Sequence, residues 1–308
     1  MHLPRRIAPA VAAALSAAVL ASCSSASGGA GNNLPTTQTT HAGRVQVAAA
    51  ESLWGNVAEQ VGGDHVDVTS IISDPNQDPH EYESTVGDAS TLSRAKLVIV
   101  NGAGYDPFMN RLLGVDKKPA GDVITVSKVV GASNGANPHL WYRTAYALQA
   151  AQAIEAALIR KQPAHRADFA AGLGRFTAGM QKVRSVIAAI RARHAGAPVG
   201  YTEPVPGYLV TDAGLSLGTP ESFSLALENG TDPSPGDNAH FEQAVTGHRI
   251  KTLLLNTQVT DPETDRLQKL ARNAHVPVVD VTETLPRGEN FQTWQAAQAS
   301  ALLAALGG

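Results

Sequence analysis

The chain has 308 residues with a formal net charge of −3, 43 % hydrophobic and 5 % aromatic residues, and one cysteine. With acids and bases nearly balanced and no basic stripe or aromatic cluster, nucleic-acid binding has nothing to rest on. One cysteine cannot build a disulfide framework or a multi-thiolate metal site.

The first residues, MHLPRRIAPAVAAALSAAVLASC, join a basic pair (Arg5, Arg6) to an apolar run from Ile7 to Leu20. The run is too short and too alanine-rich for a membrane span and ends in small residues, as a cleavable export signal does, so residues 1–22 are expected to be a signal peptide. Cys23 falls where cleavage would place the new N-terminus, in a stretch that resembles a bacterial lipobox, and it is expected to carry a lipid. The arginine pair lacks the flanking pattern of a twin-arginine signal. Residues 23–43 continue in Ser, Gly, Thr and Asn with almost nothing to bury, which reads as a flexible tether. With Cys23 acylated no thiol remains, so any metal must be held by nitrogen and oxygen.

Roughly 265 residues follow, enough for two domains with cores of their own. Strand-like runs are predicted at 44–50, 65–72, 96–101, 122–126, 197–202, 251–256 and 276–281, with helical patterns such as ESLWGNVAEQV and PETDRLQKLARNA between them. Strand followed by helix, repeated, predicts an α/β fold of parallel sheets covered by helices on both faces. The repeat breaks once, between His165 and His194, where Phe169, Leu173, Phe176, Met180, Val183, Ile187 and Ile190 fall at alternating spacings of four and three. That spacing predicts one helix about 45 Å long, a stiff strut between two lobes, with Gly172 and Gly174 weakening its first turns. The expected domains are an N-terminal lobe over 44–164, a linking helix over 165–195 and a C-terminal lobe over 196–308.

Open α/β sheets bind ligands in the crevice beyond the carboxyl ends of their strands. His80, in DPHEYE, follows the predicted strand 65–72, and His139, in NPHLWYR, follows strand 122–126; each comes directly after a proline that stiffens the chain. Glu203, in YTEPVPGY, follows strand 197–202, and Glu283, in VTETLP, follows strand 276–281. A cleft between the lobes would thus collect two imidazoles and two carboxylates. Such a set suits Mn²⁺, Zn²⁺ or Fe²⁺ better than Ca²⁺, and the two acids neutralise the dication. His2 and His41 lie in the signal and tether, and His65, His165, His194, His240, His248 and His275 read as surface or capping residues at element edges. HExxH, GxSxG, GxGxxG and P-loop motifs are absent, so the common enzyme signatures are missing.

The ordered set QDPHEYE, AKLVIVNGAGYDPFMNRLL, NPHLWY, YTEPVPGYLVTDAGL, LLLNTQ and VPVVDVTETLP with Trp294 downstream resembles the metal-binding lipoproteins of zinc and manganese ABC importers, from Arg44 to the C-terminus. The resemblance implies two α/β lobes joined by one long helix, with the metal buried between them. It implies His80 and His139 as the first two ligands, Glu203 as the third, where many zinc binders carry His, and Glu283 of Thr282-Glu283-Thr284-Leu285 as the fourth. Asp280 is the reserve for that fourth place. Two features depart from the family: the usual acid after the second histidine motif is Arg143, and VVGASNGA replaces the His- and acid-rich loop of many zinc-specific members.

The function this implies is capture of Mn²⁺ or Zn²⁺ outside the membrane, as transported substrate and without a catalytic cofactor. Delivery would be to an ABC permease and its ATPase, by a monomer anchored to the cell membrane through Cys23. An adhesin or extracytoplasmic metal chaperone would differ only in the downstream partner. A metal-dependent hydrolase would need an open coordination position and a general base beside it. The anchor is directly testable: Cys23→Ala should leave an unlipidated precursor that no longer enters the detergent phase with membranes, and unchanged partitioning would end the lipobox reading.

Overall fold

The computed structural model describes residues 43–77, 79, 82–133, 135–258 and 262–307; the expected signal peptide, Cys23 and residues 24–42 of the tether lie outside them. Two four-stranded sheets, parallel throughout, organise the rest. The first is built from β1 (Val45–Glu51), α1 (Ser52–Gly62), β2 (Val66–Ile72), α2 (Val86–Arg94), β3 (Leu97–Val100), α3 (Pro107–Asp116), β4 (Val123–Thr125) and the short α4 (Val126–Val129). Its strand order is β2-β1-β3-β4. Helices α5 (Thr144–Lys161) and α6 (Arg166–His194) then lead to the second half. This comprises β5 (Pro198–Tyr201), α7 (Gly207–Asp212), β6 (Ser216–Leu217), α8 (Glu221–Glu228), α9 (Pro235–Thr246), β7 (Leu253–Asn256), α10 (Pro262–Asn273), β8 (Val278–Val281) and α11 (Phe291–Ala305), in the strand order β6-β5-β7-β8. The two sheets repeat one topology, and this α/β two-lobe fold is the class predicted from sequence.

The central strands are apolar without alternation, as helices on both faces require. LVIV of β3 is buried at every position and the run Ala48-Ala49-Ala50 of β1 is fully buried. The two-residue β6 has no counterpart in the predicted strands, because a run that short carries no periodic signal.

Helix α6 is a single helix of 29 residues, about 43 Å long at 1.5 Å per residue. Its predicted apolar stripe is buried except at Leu173, which is partly buried, and Gly172 and Val186 are buried as well. The wider buried face has a cause. Helix α6 packs against α1 and α5 of the first lobe and also against α11 of the second, so it is an embedded core helix more than a free strut. Phe291 of α11 is fully buried with ring centroids 6.2 Å from Trp54 and 5.8 Å from Phe176, and one hydrophobic cluster runs through both lobes across these helices. Among the described residues no helix is long and apolar enough to cross a membrane.

Gly172 and Gly174 play opposite parts in α6. A Cβ on Gly172 would sit 2.3 Å from the Val61 carbonyl oxygen, so only glycine lets α6 approach the end of α1 this closely, whereas a Cβ on Gly174 would meet open space. Gly172→Ala should therefore destabilise by about 1–3 kcal/mol through overpacking. Gly174→Ala should stabilise by about 0.5–1 kcal/mol through reduced chain entropy. Urea titration of the two variants checks the opposite signs.

Candidate metal centre

The carboxyl ends of the strands from both sheets supply one buried chamber. His139, Glu283 and Glu203 are 0 %, 1 % and 3 % exposed. His139 precedes a 3₁₀ turn, Leu140–Tyr142, and its loop is held by Asn101 just after β3, whose amide donates to the Pro138 carbonyl at 2.9 Å. Asn101 in turn accepts from the Trp54 indole at 3.1 Å. The neighbouring turn Asn101–Asp106 is left-handed at Gly102, Ala103 and Gly104, and the Asp106 carboxylate accepts from the amides of Asn101 and Gly102 at 2.7 and 2.9 Å. That tight turn carries Tyr105 into the chamber.

Asn137 sets the chemistry of His139. Its Oδ1 accepts from the His139 amide at 2.9 Å and lies 2.7 Å from Nδ1. Because an amide oxygen can only accept, Nδ1 carries the proton, and the Nε2 lone pair is left to face the chamber. Nε2 lies 3.4 Å from Glu283 Oε2 and 3.6 Å from Glu228 Oε1. These separations are long for hydrogen bonds, but two donors each about 2.1 Å from one ion at the tetrahedral angle lie about 3.4 Å apart. The distances are therefore compatible with donors that share an ion.

The acids are aimed by neutral donors. Asn256, at the end of β7, uses its two amide hydrogens on two carboxylates, reaching Glu203 Oε2 and Glu283 Oε1 at 2.7 Å each. Tyr105 donates to Glu283 Oε2 at 3.0 Å. Burial, followed by the nearby charges of Glu283, Glu51 and Glu228, pushes the Tyr105 phenol well above its ordinary range, so it remains a neutral donor. Asn256 closes β7 and Glu203 lies two residues beyond the adjacent β5, at the point where the strand order of the second sheet reverses.

Asn137 also reaches across the lobes, donating through Nδ2 to the Pro204 carbonyl at 2.6 Å, and Tyr208 returns a bond to the Asn137 carbonyl at 3.0 Å. Arg143 pairs with Asp212 at 3.2 Å and lies over the rings of Tyr146 and Tyr208; the cation that departs from the family pattern is thus an interlobe clamp beside the chamber. On the other rim, the Pro75 carbonyl accepts from Gln258 Nε2 at 2.5 Å and from the Thr284 hydroxyl at 2.7 Å, tying the start of the His80 loop to the Glu283 loop.

Of the residues singled out by sequence, the structure brings together His139, Glu203 and Glu283. His80 lies outside the described residues. Asp280 is exposed on β8, on the opposite side of the strand from buried Val279 and Val281. Sequence reading missed Glu228, Asn256, Tyr105, Asn137 and Glu51. Glu51 and Asn256 close strands, Tyr105 lies in the turn after β3 and Asn137 opens the second proline-histidine motif, so these four were within reach of the strand-end rule; Glu228 closes a helix and was not. His65 and His165, expected as surface or capping residues, stack with centroids 3.8 Å apart beside Asp168. His65 Nε2 and His165 Nδ1 lie 3.0 and 3.5 Å from Asp168 Oδ2, so these three side chains also bring their donor atoms close together, at the surface and not in the chamber.

The family resemblance read from the motifs agrees with comparison to known proteins. The model of the zinc-uptake complex component A, periplasmic, family matches residues 47–305. The chain belongs to this family. Among curated relatives, the manganese-binding lipoprotein MntA of Bacillus subtilis (strain 168) is 32 % identical over 133 residues, covering 41 % of this chain and 43 % of that protein. The iron ABC transporter substrate-binding lipoprotein MtsA of Streptococcus pyogenes serotype M1 is 26 % identical over 192 residues, covering 58 % and 59 %. The chain therefore spans about half the length of the curated relatives it matches. Among solved structures, FpvC from Pseudomonas aeruginosa in complex with Mn²⁺ superposes with a TM-score of 0.72 at 18 % identity, over 86 % of this chain and 98 % of that one. The periplasmic zinc-binding protein TroA from Treponema pallidum gives 0.70 at 16 % identity, over 86 % and 99 %. These structural likenesses establish the fold.

Glu51, at the carboxyl end of β1, is 1 % exposed, and among the described residues no other side chain or backbone amide donates to its carboxylate within hydrogen-bond geometry. Burial and then the charge of Asp106 push its carboxyl well above the ordinary range. Across the interval between the usual glutamate range and that raised value the folded state holds a proton the unfolded chain has released, so stability falls as pH rises. Glu51→Gln should remove that fall: in chelator-treated protein its melting temperature should exceed the wild type's at pH 8, with the gap closing toward pH 4.5. A gap independent of pH would contradict the assignment.

Proposed function

We propose that this protein captures a divalent transition-metal ion outside the membrane and hands it to the permease of an ABC importer, without making or breaking a covalent bond. The observation that carries the reading is the surroundings of His139 Nε2. A tautomer-fixed imidazole faces two carboxylates at 3.4 and 3.6 Å in a buried space between two lobes. The ligands proposed are His80, His139, Glu203 and Glu283. Glu283 is favoured over Asp280 because it is buried and bonded to Tyr105 and Asn256, whereas Asp280 faces solvent.

Family membership and the relatives' names support the importer assignment. A nitrogen and carboxylate donor set suits manganese, and zinc is competitive for it on intrinsic affinity. The permease and ATPase, the lipid on Cys23, the monomeric state, and lobes spanning 44–164 and 196–308 about a linking helix at 165–195 belong to the same proposal. The interlobe bonds at Asn137, Arg143 and Pro75 favour a site that opens locally, at the loops, over one opened by wide rotation of the lobes.

Mn²⁺ or Zn²⁺ added to chelator-treated protein should raise the melting temperature, since an ion present at 1,000 times its Kd contributes about 4 kcal/mol to the form that binds it. His80→Ala, His139→Ala and Glu283→Ala should each abolish the shift, while Asp280→Ala should keep it. A shift retained in any of the first three removes that residue from the site, and retention in all three ends the reading.

A further inference from the structure

The charge of this chain is unevenly placed. Helix α6 carries six bases, Arg166, Arg175, Lys182, Arg184, Arg191 and Arg193, against the single acid Asp168. From Cys23 onward the rest of the chain holds sixteen Lys and Arg against 26 Asp and Glu. One cationic helix thus sits on an acidic body.

At 3.6 residues per turn, Arg175, Lys182 and Arg193 fall in one row along α6 and Arg166, Arg184 and Arg191 in another. All six are exposed, and between the rows runs an exposed ridge of small residues, Gly174, Ala178, Ser185 and Ala192, on the side away from the buried face. Long basic stems can reach past so low a ridge toward a flat surface. From Arg166 to Arg193 the strip is about 40 Å long at 1.5 Å per residue. Ion pairing within the fold leaves most of it uncommitted. Asp168 is held by His65 at 3.0 Å, and Asp212, which lies beside Arg191, is paired with Arg143 at 3.2 Å. Among the described residues Arg166, Arg175, Lys182, Arg184 and Arg193 form no ion pair.

The described chain also begins beside this helix. The Gly43 carbonyl accepts from the side-chain amide of Gln162, four residues before Arg166. Gly43 lies twenty residues beyond Cys23, a stretch that spans no more than about 70 Å even fully extended. A lipid on Cys23 would keep the start of α6 within that reach of a bilayer, which raises its effective concentration at the surface.

We propose that the exposed face of α6 docks on the anionic headgroups of the membrane to which the chain is anchored. The proposal goes beyond metal capture and takes from the reading above only the lipid on Cys23. A phosphate-bearing bilayer is flat, extended and negative, as a long cationic strip requires. Its field also repels the acidic remainder of the chain, so the charge separation sets an orientation as well as an attraction. Each basic side chain near such a surface contributes roughly fivefold in affinity. The attraction reaches about one Debye length, roughly 8–10 Å at ordinary ionic strength, so salt reverses it.

The experiment uses the mature lipidated protein, purified from membranes and reconstituted in vesicles that carry a headgroup-linked quencher. With Cys23 acylated, Ser185→Cys on the ridge provides a single thiol for a fluorophore, and Val115→Cys, 86 % exposed on α3, provides the control. In phosphatidylglycerol-containing vesicles at low salt the label at 185 should be quenched well beyond the label at 115. The difference should vanish in phosphatidylcholine alone and at about 0.5 M salt. Arg175→Gln/Lys182→Gln/Arg184→Gln should abolish it too, since three lost charges weaken the contact by on the order of 100-fold, while the triple variant keeps the wild type's melting temperature and its metal-induced shift. Equal quenching at the two positions overturns the proposal, as does quenching at 185 that neither salt nor the triple variant changes. Quenching at 185 that appears only after a permease is added also overturns it, and assigns the strip to an acidic protein face. An unacylated Cys23, read from the mass of the purified chain, overturns the anchor alone; the strip is then judged by co-sedimentation of wild type and triple variant with the same vesicles, and equal sedimentation overturns it. A wild type without a metal-induced shift overturns metal capture and leaves the quenching result standing.

Discussion

The constraint on which the rest of this structure depends is electrostatic: several carboxylates are held out of water around one imidazole. Glu203, Glu228 and Glu283 share the chamber with His139, and the amide of Asn256 divides its two hydrogens between two of the acids. Like charges in such a place repel, and each is separately penalised by desolvation. The polar scaffold is therefore dominated by neutral donors. Asn256, Tyr105 and Asn137 orient the acids and the imidazole without supplying a full positive charge, and the guanidinium of Arg143 is committed instead to Asp212 and two aromatic rings.

A chamber under such internal repulsion needs walls that do not yield. Its two halves are tied by side-chain bonds at opposite rims and backed by helices whose apolar faces form one cluster through both lobes. The two sheets share one strand order, and segments following strands of each supply groups that meet in the chamber. Donors from one lobe can thus reach acids of the other, as Tyr105 reaches Glu283 across 178 residues of sequence.

Much of this was legible in the sequence. The apolar spacing in 165–194 and the unbroken apolar runs of the central strands state the architecture, because the periods of helix and buried strand leave few alternatives. His139, Glu203 and Glu283, which the structure buries together, were singled out by one positional rule, that functional groups gather at the carboxyl ends of parallel strands. Glu228 escaped it because a glutamate closing an amphipathic helix reads as solvated surface, and only the docking of Ser224 on Tyr201 turns that end inward. The face that α6 presents to α11 was hidden for a related reason. Periodicity records how much of a helix is apolar, not which later segment will cover it.

That late covering has a consequence for how the chain acquires its structure. Phe291 lies against Trp54, and the Gln60 and Gln292 side chains bond to each other, contacts that span more than 230 residues. The helix that completes the packing of α1 and α6 is synthesised after every other described element. Until it arrives, the face of Trp54 and Phe176 that Phe291 covers remains bare, and closing it requires a loop of nearly the whole domain, whose entropy opposes early formation. The first lobe is therefore expected to stay loosely packed, a species prone to binding holdase chaperones, until its final partner docks and the two lobes consolidate together.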